Sequence, residues 1–404
     1  MQENKTAPGA HSMMAPGAHS MMAPGAHSMI GAYGPWAAGL VADEPGTFSW
    51  RNPRWTNLSE WRTAAHQRLL ERLAMPAIAG PPPVTVHRTF TYDGLHIEDL
   101  SWQLPYGPPT RAYLLKPEGA TGRLPAILGL HCHSGLKFFG REKLTHTGEP
   151  VHPLIERIHA RDGGVAWANE IARRGYVVLA HDAFAFGSRR VRLADVPTVL
   201  RGDRSDPAWE DVAGIEAYNR WAGEHESIMA KSLFCAGTTW PGVFLAEDRA
   251  ALDVLYSRDD VDPARIGCGG LSGGGLRTVM LAGADERIAC AVCVGMMTTW
   301  RDFLLNKSHT HTWMIYTPLL PHELDYPEIL GLRVPKPTLV LNDIDDPLFT
   351  LPEMERADGI LRAVFDKAGA ADRYRCSYYP GGHKFDLPMQ AEAFEWFDRW
   401  LVGT

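Results

Sequence analysis

Residues 264–283 are Ala264-Arg-Ile-Gly-Cys-Gly-Gly-Leu-Ser-Gly-Gly-Gly-Leu-Arg-Thr-Val-Met-Leu-Ala-Gly283, and this stretch decides the fold. The apolar run from Ile266 to Gly269 indicates a buried strand, and Leu276 to Ala282 indicates the start of a helix. Between them, Gly270-Leu-Ser-Gly-Gly274 matches Gly-x-Ser-x-Gly in the strand–turn–helix context that this motif requires. Its glycines let strand and helix approach without Cβ clashes. The pattern predicts Ser272 as a nucleophile on a strained turn; the alternative is a glycine-rich turn whose serine only caps the helix.

The composition is that of an ordinary globular protein: 404 residues, 45% hydrophobic and 22% charged. This length suits one large α/β domain with insertions. The net charge of −7 argues against a nucleic acid or an anionic membrane as partner. No apolar window of about 18 residues could span a membrane, and the first residues lead into no stretch typical of a signal peptide. We therefore expect a cytoplasmic protein.

Six cysteines are scattered along the chain, mostly in apolar runs, which indicates buried thiols and not a disulfide framework. Cys290-Ala-Val-Cys293 matches Cys-x-x-Cys but lies within the apolar run from Ile288 to Val294. A strand there would direct the two sulfurs to opposite faces. The pattern therefore favours neither a redox nor a zinc role.

Residues 7–30 consist of one octapeptide written three times, beginning Ala7-Pro-Gly-Ala-His-Ser-Met-Met14. Pro-Gly in every copy excludes a long helix, so we interpret residues 1–50 as a flexible tail and lead-in. Histidines at a fixed period (His11, His19 and His27) could bind a metal weakly. Residues 51–404 form one domain in this interpretation.

The rest of the domain alternates between strand and helix patterns. After a helical pattern over 55–75, three alternating segments with Gly/Pro turns predict antiparallel strands, at 84–93, 95–104 and 110–115. Later apolar runs predict strands at 124–130, 176–180, 266–269, 288–294, 336–342 and 374–379. Intervening helices are predicted at 167–174, 206–234, 243–257, 352–368 and 389–401. This order indicates a mostly parallel sheet with helices on both faces and antiparallel strands at the N-terminal edge.

Two insertions interrupt this alternation, at 136–163 and 189–242, and the second has a mostly helical pattern. We expect both to cover the site like a cap. Arg189 and Arg190, at the start of the second insertion, either meet a substrate carboxylate or are solvated or ion-paired, which is commoner.

Sites on such sheets form at the carboxyl ends of the strands, so the residues that follow each strand matter most. Three aspartates, Asp343, Asp345 and Asp346, follow the strand predicted at 336–342, and His383 follows the last strand. A serine hydroxyl needs an imidazole to take its proton, and a carboxylate must orient that imidazole. Ser272, aspartate and histidine occur in the order that the elbow motif requires. We favour Asp346 as the acid because it lies farthest into the loop and precedes a proline; Asp345 is the nearer alternative and Asp343 the other.

An oxyanion hole needs two N–H donors. The N–H of Gly273 would be one, and the loop after 124–130 would supply the other, from His133 or Ser134. His131 and His133 could instead bind a metal as a His-x-His pair, but no carboxylate-rich stretch accompanies them. We expect no metal and no other cofactor.

Taken together, these residues resemble the α/β-hydrolase superfamily, and within it the branch of dienelactone hydrolases and acetyl-xylan-esterase-like bacterial esterases. The resemblance rests on Leu130-His-Cys-His-Ser-Gly135, Asp182-Ala-Phe-Ala-Phe-Gly-Ser-Arg189, Gly270-Leu-Ser-Gly-Gly274, Asp346 and His383. It implies an oxyanion loop, a structural Asp/Gly turn, the nucleophile, the acid and the base, in that order.

The resemblance extends from about residue 84 to the end, with three departures. The oxyanion loop lacks the usual His-Gly-Gly. Ser272 stands where a dienelactone hydrolase has cysteine, which favours ordinary esters. The elbow also lacks the Ser-Arg pairing typical of glucuronoyl esterases.

These patterns predict a serine esterase in which Ser272, His383 and Asp346 act through an acyl-enzyme on a small-molecule carboxylic ester. The alternatives are an amidase, peptidase or C–C hydrolase with the same triad, or a non-catalytic binding protein of this fold. Acyl and alcohol specificity stay open, as does the oligomeric state, a homo-oligomer included.

Overall fold

The computed structural model describes residues 28–41 and 44–403. The octapeptide histidines His11, His19 and His27 lie outside these ranges, and so does most of the tail predicted at 1–50. Within the lead-in, Gly34–Ala38 forms a short helix, α1.

Over residues 28–41 and 44–403, nine strands form one sheet. In chain order they are β1 (Val84–Tyr92), β2 (Leu95–Trp102), β3 (Thr110–Pro117), β4 (Leu124–Gly129), β5 (Val177–His181), β6 (Val261–Leu271), β7 (Cys290–Val294), β8 (Thr338–Asp343) and β9 (Tyr374–Tyr379). The spatial order is β1-β2-β3-β5-β4-β6-β7-β8-β9. Pairs from β1 to β5 along this order are antiparallel, and pairs from β5 to β9 are parallel. The predicted mixed sheet is therefore confirmed.

The central strands are buried on both faces, which explains their continuous apolar runs. Ile127 and Leu128 are adjacent in β4, yet they belong to hydrophobic clusters on opposite sides of the sheet. Cys290 and Cys293 of β7 separate in the same way, as predicted from the two-residue period of a strand. The strand predicted at 266–269 is longer than expected, since β6 begins at Val261 beside the start of β4.

Helices cover both faces of the sheet. The longer ones are α2 (Leu58–Leu73), α3 (Pro153–Arg161), α4 (Trp167–Arg173), α6 (Val212–Cys235), α7 (Trp240–Tyr256), α8 (Gly273–Ala284), α11 (Leu351–Lys367) and α12 (Leu387–Phe397). Shorter ones are α5 (Thr198–Arg201), α9 (Trp300–Asp302) and α10 (Tyr326–Gly331). In the described part of the chain, no helix is long and apolar enough to cross a membrane.

The two insertions pack against each other. Phe139 and Ile155 of the first share a hydrophobic cluster with Tyr218 and Trp221 of α6 in the second. The helix predicted at 206–234 begins only at Val212, because the Asp211 side chain accepts a hydrogen bond from the Gly214 N–H and caps it there.

Candidate functional site

Ser272 lies where β6 ends and α8 begins, with φ 60° and ψ −118°. A residue other than glycine at this backbone conformation stores about 1–3 kcal/mol of strain, which the surrounding structure must sustain. Two backbone hydrogen bonds do so: Ser272 N–H donates to Val294 O at 2.9 Å, and Leu276 N–H donates to Ser272 O at 2.8 Å. The strained strand-to-helix turn predicted from the sequence is therefore present.

The two glycines of the motif are required by a close approach to β4. A Cβ added at Gly270 or Gly274 would lie 2.1 or 2.0 Å from the carbonyl oxygen of Leu130, closer than any side chain could be placed. The end of β4 thus packs directly on the elbow. This contact brings the loop that follows Leu130 next to Ser272.

Asp346 and His383 meet on the loops that follow β8 and β9. Asp346 Oδ2 accepts a hydrogen bond of 2.6 Å from His383 Nδ1, and Asp346 is buried. The other carboxylate oxygen accepts from Leu348 N–H at 2.9 Å. His383 Nε2 is buried and has no hydrogen-bond partner among the described residues. One ring nitrogen is therefore held by a carboxylate, and the other is left to accept a proton.

The loop that follows β8 and carries Asp346, called the acid loop below, is held by hydrogen bonds from residues that the sequence did not single out for this role. His311 Nε2 donates to Leu348 O at 2.8 Å, and Lys307 Nζ donates to Pro347 O at 2.7 Å. Burial lowers the pKa of His311 to about 4, so this imidazole is neutral at neutral pH. Both contacts hold the backbone immediately after Asp346.

The other two aspartates have different partners. Asp343 is buried at the end of β8 and accepts from Lys384 N–H at 3.1 Å, and burial raises its pKa to about 7. Asp345 is exposed and accepts from Gly381 N–H at 3.0 Å. Both therefore tie the acid loop to the loop that carries His383, and Asp346 is the aspartate that contacts the imidazole.

The imidazole and Ser272 lie against the same short segment at the end of β7. Ser272 N–H bonds Val294 O, as above, and the next residue is Gly295, with φ 55°. A Cβ at Gly295 would lie 3.1 Å from Cε1 of His383. The structure thus brings Ser272, His383 and Asp346 to one edge of the sheet.

The loop after β4 lies against the first residue of α8. A Cβ at Gly273 would be 2.9 Å from the backbone nitrogen of His133. The peptide groups of these two residues are therefore neighbours at the positive end of the α8 dipole, where negative charge is stabilised. Ser134, the other candidate donor, follows with φ 51°.

In both histidines of the His-x-His pair, the two ring nitrogens form hydrogen bonds with other groups of the protein. His133 Nε2 bonds Glu226 Oε1 at 2.8 Å, and its Nδ1 accepts from Gly135 N–H at 2.9 Å. His131 Nε2 accepts from Ala183 N–H at 3.2 Å, and its Nδ1 bonds Cys132 O at 3.1 Å. Burial lowers the pKa of both rings. Across the described residues, no group of three or more His, Cys, Asp or Glu side chains could hold a metal ion.

Glu226 of α6 connects this loop to two other segments, which the sequence did not reveal. Besides His133, its carboxylate contacts Lys137 Nζ at 2.7 Å, Thr312 Oγ1 at 2.5 Å and Trp313 N–H at 3.1 Å. Burial alone would raise the pKa of Glu226, but the bond from His133 and the charge of Lys137 hold it below its ordinary value.

The Asp/Gly turn implied by the resemblance is structural. Asp182 is fully buried and accepts from Arg141 N–H at 2.8 Å, from Arg141 Nη1 at 2.7 Å and from Ser188 N–H at 2.9 Å. Gly187 lies so close that a Cβ there would be 2.4 Å from Asp182 Cγ. Arg189 forms a buried ion pair with Glu247, so its guanidinium is engaged within the protein, the second of the two roles considered for it.

A cavity of about 420 Å³ lies beside the first insertion, lined by residues that include Tyr113, Arg141, His146, His152 and Trp209. Its described lining contains none of the three side chains gathered at the elbow. The candidate site is therefore the elbow edge of the sheet and not this cavity.

Comparison with known proteins agrees with this architecture. The sequence profile of the prolyl oligopeptidase family matches residues 240–329, which include α7, β6 and the elbow. A Bacillus subtilis (strain 168) protein named "Putative hydrolase YtaP" is 28% identical over 293 residues, covering 72% of this chain and 83% of that protein.

Solved structures with the same fold include esterases. A Bacteroides fragilis NCTC 9343 protein, described as a "putative acetyl xylan esterase", superposes with a TM-score of 0.64 at 18% identity, covering 87% of this chain and 82% of its own. A glucuronoyl esterase from Solibacter usitatus superposes with a TM-score of 0.58 at 14% identity, covering 85% and 94%. With its strand order and its Ser272 elbow, the chain therefore has the fold of the α/β-hydrolase superfamily and resembles its acetyl-xylan-esterase-like branch.

Proposed function

We propose that this protein is a serine hydrolase that cleaves carboxylic esters, with Ser272 as nucleophile, His383 as base and Asp346 as the orienting acid. The observation that carries the proposal is the 2.6 Å bond between Asp346 and His383 Nδ1. The other ring nitrogen, the buried Nε2, has no hydrogen-bond partner among the described residues, and the ring lies near the strained Ser272 turn. A carboxylate on Nδ1 holds the imidazole in the tautomer whose Nε2 can accept the proton of a serine nucleophile.

In the proposed reaction, Ser272 Oγ attacks the acyl carbon of the ester while its proton passes to His383 Nε2. The N–H groups of Gly273 and His133 hold the negative oxygen that forms. The bond between acyl carbon and alcohol oxygen then breaks, and the alcohol leaves with the proton from His383. Water repeats the sequence on the acyl-enzyme, releasing the carboxylic acid and restoring Ser272. These steps use groups of the chain and water, without a cofactor.

For the substrate class, the likeness to a protein described as an acetyl xylan esterase supports short-acyl esters of carbohydrates as the first class to test. The net charge of −7 favours a small-molecule ester over a nucleic acid or an anionic membrane. A cytoplasmic location stays a prediction.

A second candidate function, cleavage of peptide amides, is favoured by the prolyl oligopeptidase match over residues 240–329. Paired p-nitrophenyl ester and p-nitroanilide substrates with the same acyl group separate the two.

The proposal is tested by labelling with a fluorophosphonate probe. We expect labelling of the wild type, no labelling of Ser272→Ala, and a loss of ester turnover on the order of 10⁴-fold or more in that variant. Ser257→Ala is a matched control, because Ser257 caps the far end of α7. Undiminished labelling of Ser272→Ala, or no labelling of the wild type, would defeat the proposal.

A further inference from the structure

Lys143 is a buried lysine of the first insertion, in a short helical turn over Arg141–Lys143. Its ammonium group donates to the carbonyl oxygens of Cys132, at 2.8 Å, and His133, at 3.0 Å. It also lies 4.5 Å from the centre of the Phe186 ring. Three donor directions are thus used on two carbonyls and an aromatic face. Burying a cation in this way costs free energy, and burial lowers the pKa of Lys143, but its two carbonyl partners and the ring face all bind the charged form.

The two carbonyls belong to the peptide groups that matter for the oxyanion. In a planar trans peptide, the carbonyl of one residue points opposite to the N–H of the next. Cys132 O therefore shares its plane with the His133 N–H, and His133 O shares its plane with the Ser134 N–H. These two N–H groups are the candidates for the second donor of the oxyanion hole. By binding both carbonyl oxygens, the Lys143 ammonium fixes the orientation of the two peptide planes and therefore of both N–H groups.

The ammonium also polarises these peptide groups. Hydrogen bonds in a chain strengthen one another, and the effect is larger away from water. A cation bonded to Cys132 O withdraws electron density from that peptide and makes the His133 N–H a stronger donor. The His133 nitrogen lies beside the first residue of α8, 2.9 Å from where a Cβ of Gly273 would be, so the strengthened donor is next to the elbow.

Glu226 holds the same loop from another side. It binds the His133 ring, and Lys137 balances its charge 2.7 Å away. Lys137 is as buried as Lys143 and also lies over the Phe186 ring, at 5.0 Å. Lys137 neutralises a carboxylate, whereas Lys143 binds backbone carbonyls. Both lysines therefore act on the oxyanion loop, Lys137 through Glu226 and the His133 ring, and Lys143 directly on its peptide groups.

We propose that Lys143 is a positioning residue of the oxyanion hole, which orients and polarises the peptide groups that carry the His133 and Ser134 N–H donors. The inference rests on the proposed serine-hydrolase function.

The test compares an aryl ester with its thionoester, in which sulfur replaces the carbonyl oxygen and is a poorer hydrogen-bond acceptor. We expect Lys143→Met to lower kcat for the ester by about 10- to 100-fold, less than the 10²–10³-fold cost of deleting a donor outright. KM should change by less than about threefold, since the oxyanion forms only after binding. Because the thionoester depends less on these donors, the ester/thionoester ratio of kcat/KM should fall at least about fivefold.

Lys367→Met is the matched control, because Lys367 at the end of α11 also donates to backbone carbonyls and lies over an aromatic ring, in its case those of Trp50 and Trp55 and the Trp50 ring. Its ester/thionoester ratio should stay at the wild-type value. Circular dichroism and the Tm of each variant report folding. If Lys143→Met does not fold, Lys143→Gln, whose amide NH2 keeps hydrogen-bond donors without the charge, replaces it, and the ratio should again fall.

An equal loss for both substrates, or the same change of ratio in Lys367→Met, would overturn the inference. Failure of the underlying function looks different. In that case the wild type is not labelled by the fluorophosphonate, or Ser272→Ala keeps its turnover. A labelled wild type with an unchanged ratio in the Lys143 variants would defeat the role of Lys143 alone.

Discussion

The two sides of the candidate site are built from different materials. On the acid–base side, the loops after β8 and β9 present two side chains, Asp346 and His383, to each other. On the proposed oxyanion side, the groups next to the elbow are the peptide groups of His133 and Gly273, and the side chains of Lys143 and Glu226 bind the loop that carries His133. A functional side chain is visible in a sequence, whereas a functional peptide group is visible only through the side chains that hold it.

The supports differ as well. The acid–base loops are tied by backbone bonds that continue the pairing of β8 with β9: Ile344 N–H bonds Tyr379 O at 2.8 Å, and Asp345 N–H bonds Gly381 O at 3.0 Å. The oxyanion loop depends on buried charges from the insertions. Strand pairing keeps its register when one surface carboxylate is changed, but a buried charge that loses its partner is costly.

Replacing the proposed acid, Asp346, should lower activity more than any change on the oxyanion side of the site. Asp346→Asn should lower kcat/KM for an ester by about 10⁴-fold, because the amide cannot hold the imidazole in the required tautomer or stabilise its positive form. Asp345→Asn, on the same loop, is the matched control and should lose less than about threefold, because its carboxylate bonds the Gly381 N–H and not the imidazole. Steady-state kinetics on purified variants measures both. The reverse order of losses would show that Asp345 is the acid.

A smaller effect is expected on the oxyanion side from Gly273→Ala. The added methyl would lie 2.9 Å from the His133 nitrogen and would push the loop away from α8. We expect kcat to fall by about 10²–10³-fold, the range for losing one oxyanion donor. Gly223→Ala is the control, because a Cβ at this position in α6 meets nothing within 4 Å. Wild-type kcat in Gly273→Ala would exclude the His133–Gly273 pairing as the oxyanion hole.

The sequence predicted where Ser272, Asp346 and His383 lie on the sheet, for a physical reason, and their catalytic roles stay a prediction. The elbow, the aspartate loop and His383 each follow an apolar run, so the position of each could be inferred from strand order alone. Choosing Asp346 among three aspartates was harder, because it depends on which carboxylate faces the ring.

The supports of the oxyanion side could not be predicted in this way. Lys143 and Glu226 are 83 positions apart in the numbering and meet the oxyanion loop only after the two insertions have packed together. Nothing in the local pattern around either residue differs from that of a surface charge. The helix α3 was missed as well, because its nine residues are few for a periodicity argument.

The smallest expected effect concerns the buried carboxyl at the foot of the acid–base side. The pKa of Asp343 is raised to about 7 in the folded protein, by burial first and then by neighbouring carboxylates such as Asp346. A raised pKa means that the folded state keeps a proton which the unfolded state releases near pH 4. The contribution of this group to stability is therefore full below about pH 4, declines as the pH rises, and is lost above about pH 7.

Asp343→Asn removes this dependence, so its Tm relative to wild type should rise by a few degrees between pH 5 and pH 8. Asp345→Asn, at an exposed position of the same loop, should show no such change. A difference in Tm between wild type and Asp343→Asn that is constant over this range would mean that Asp343 is ionised in the fold, and that the acid–base side also depends on a buried charge.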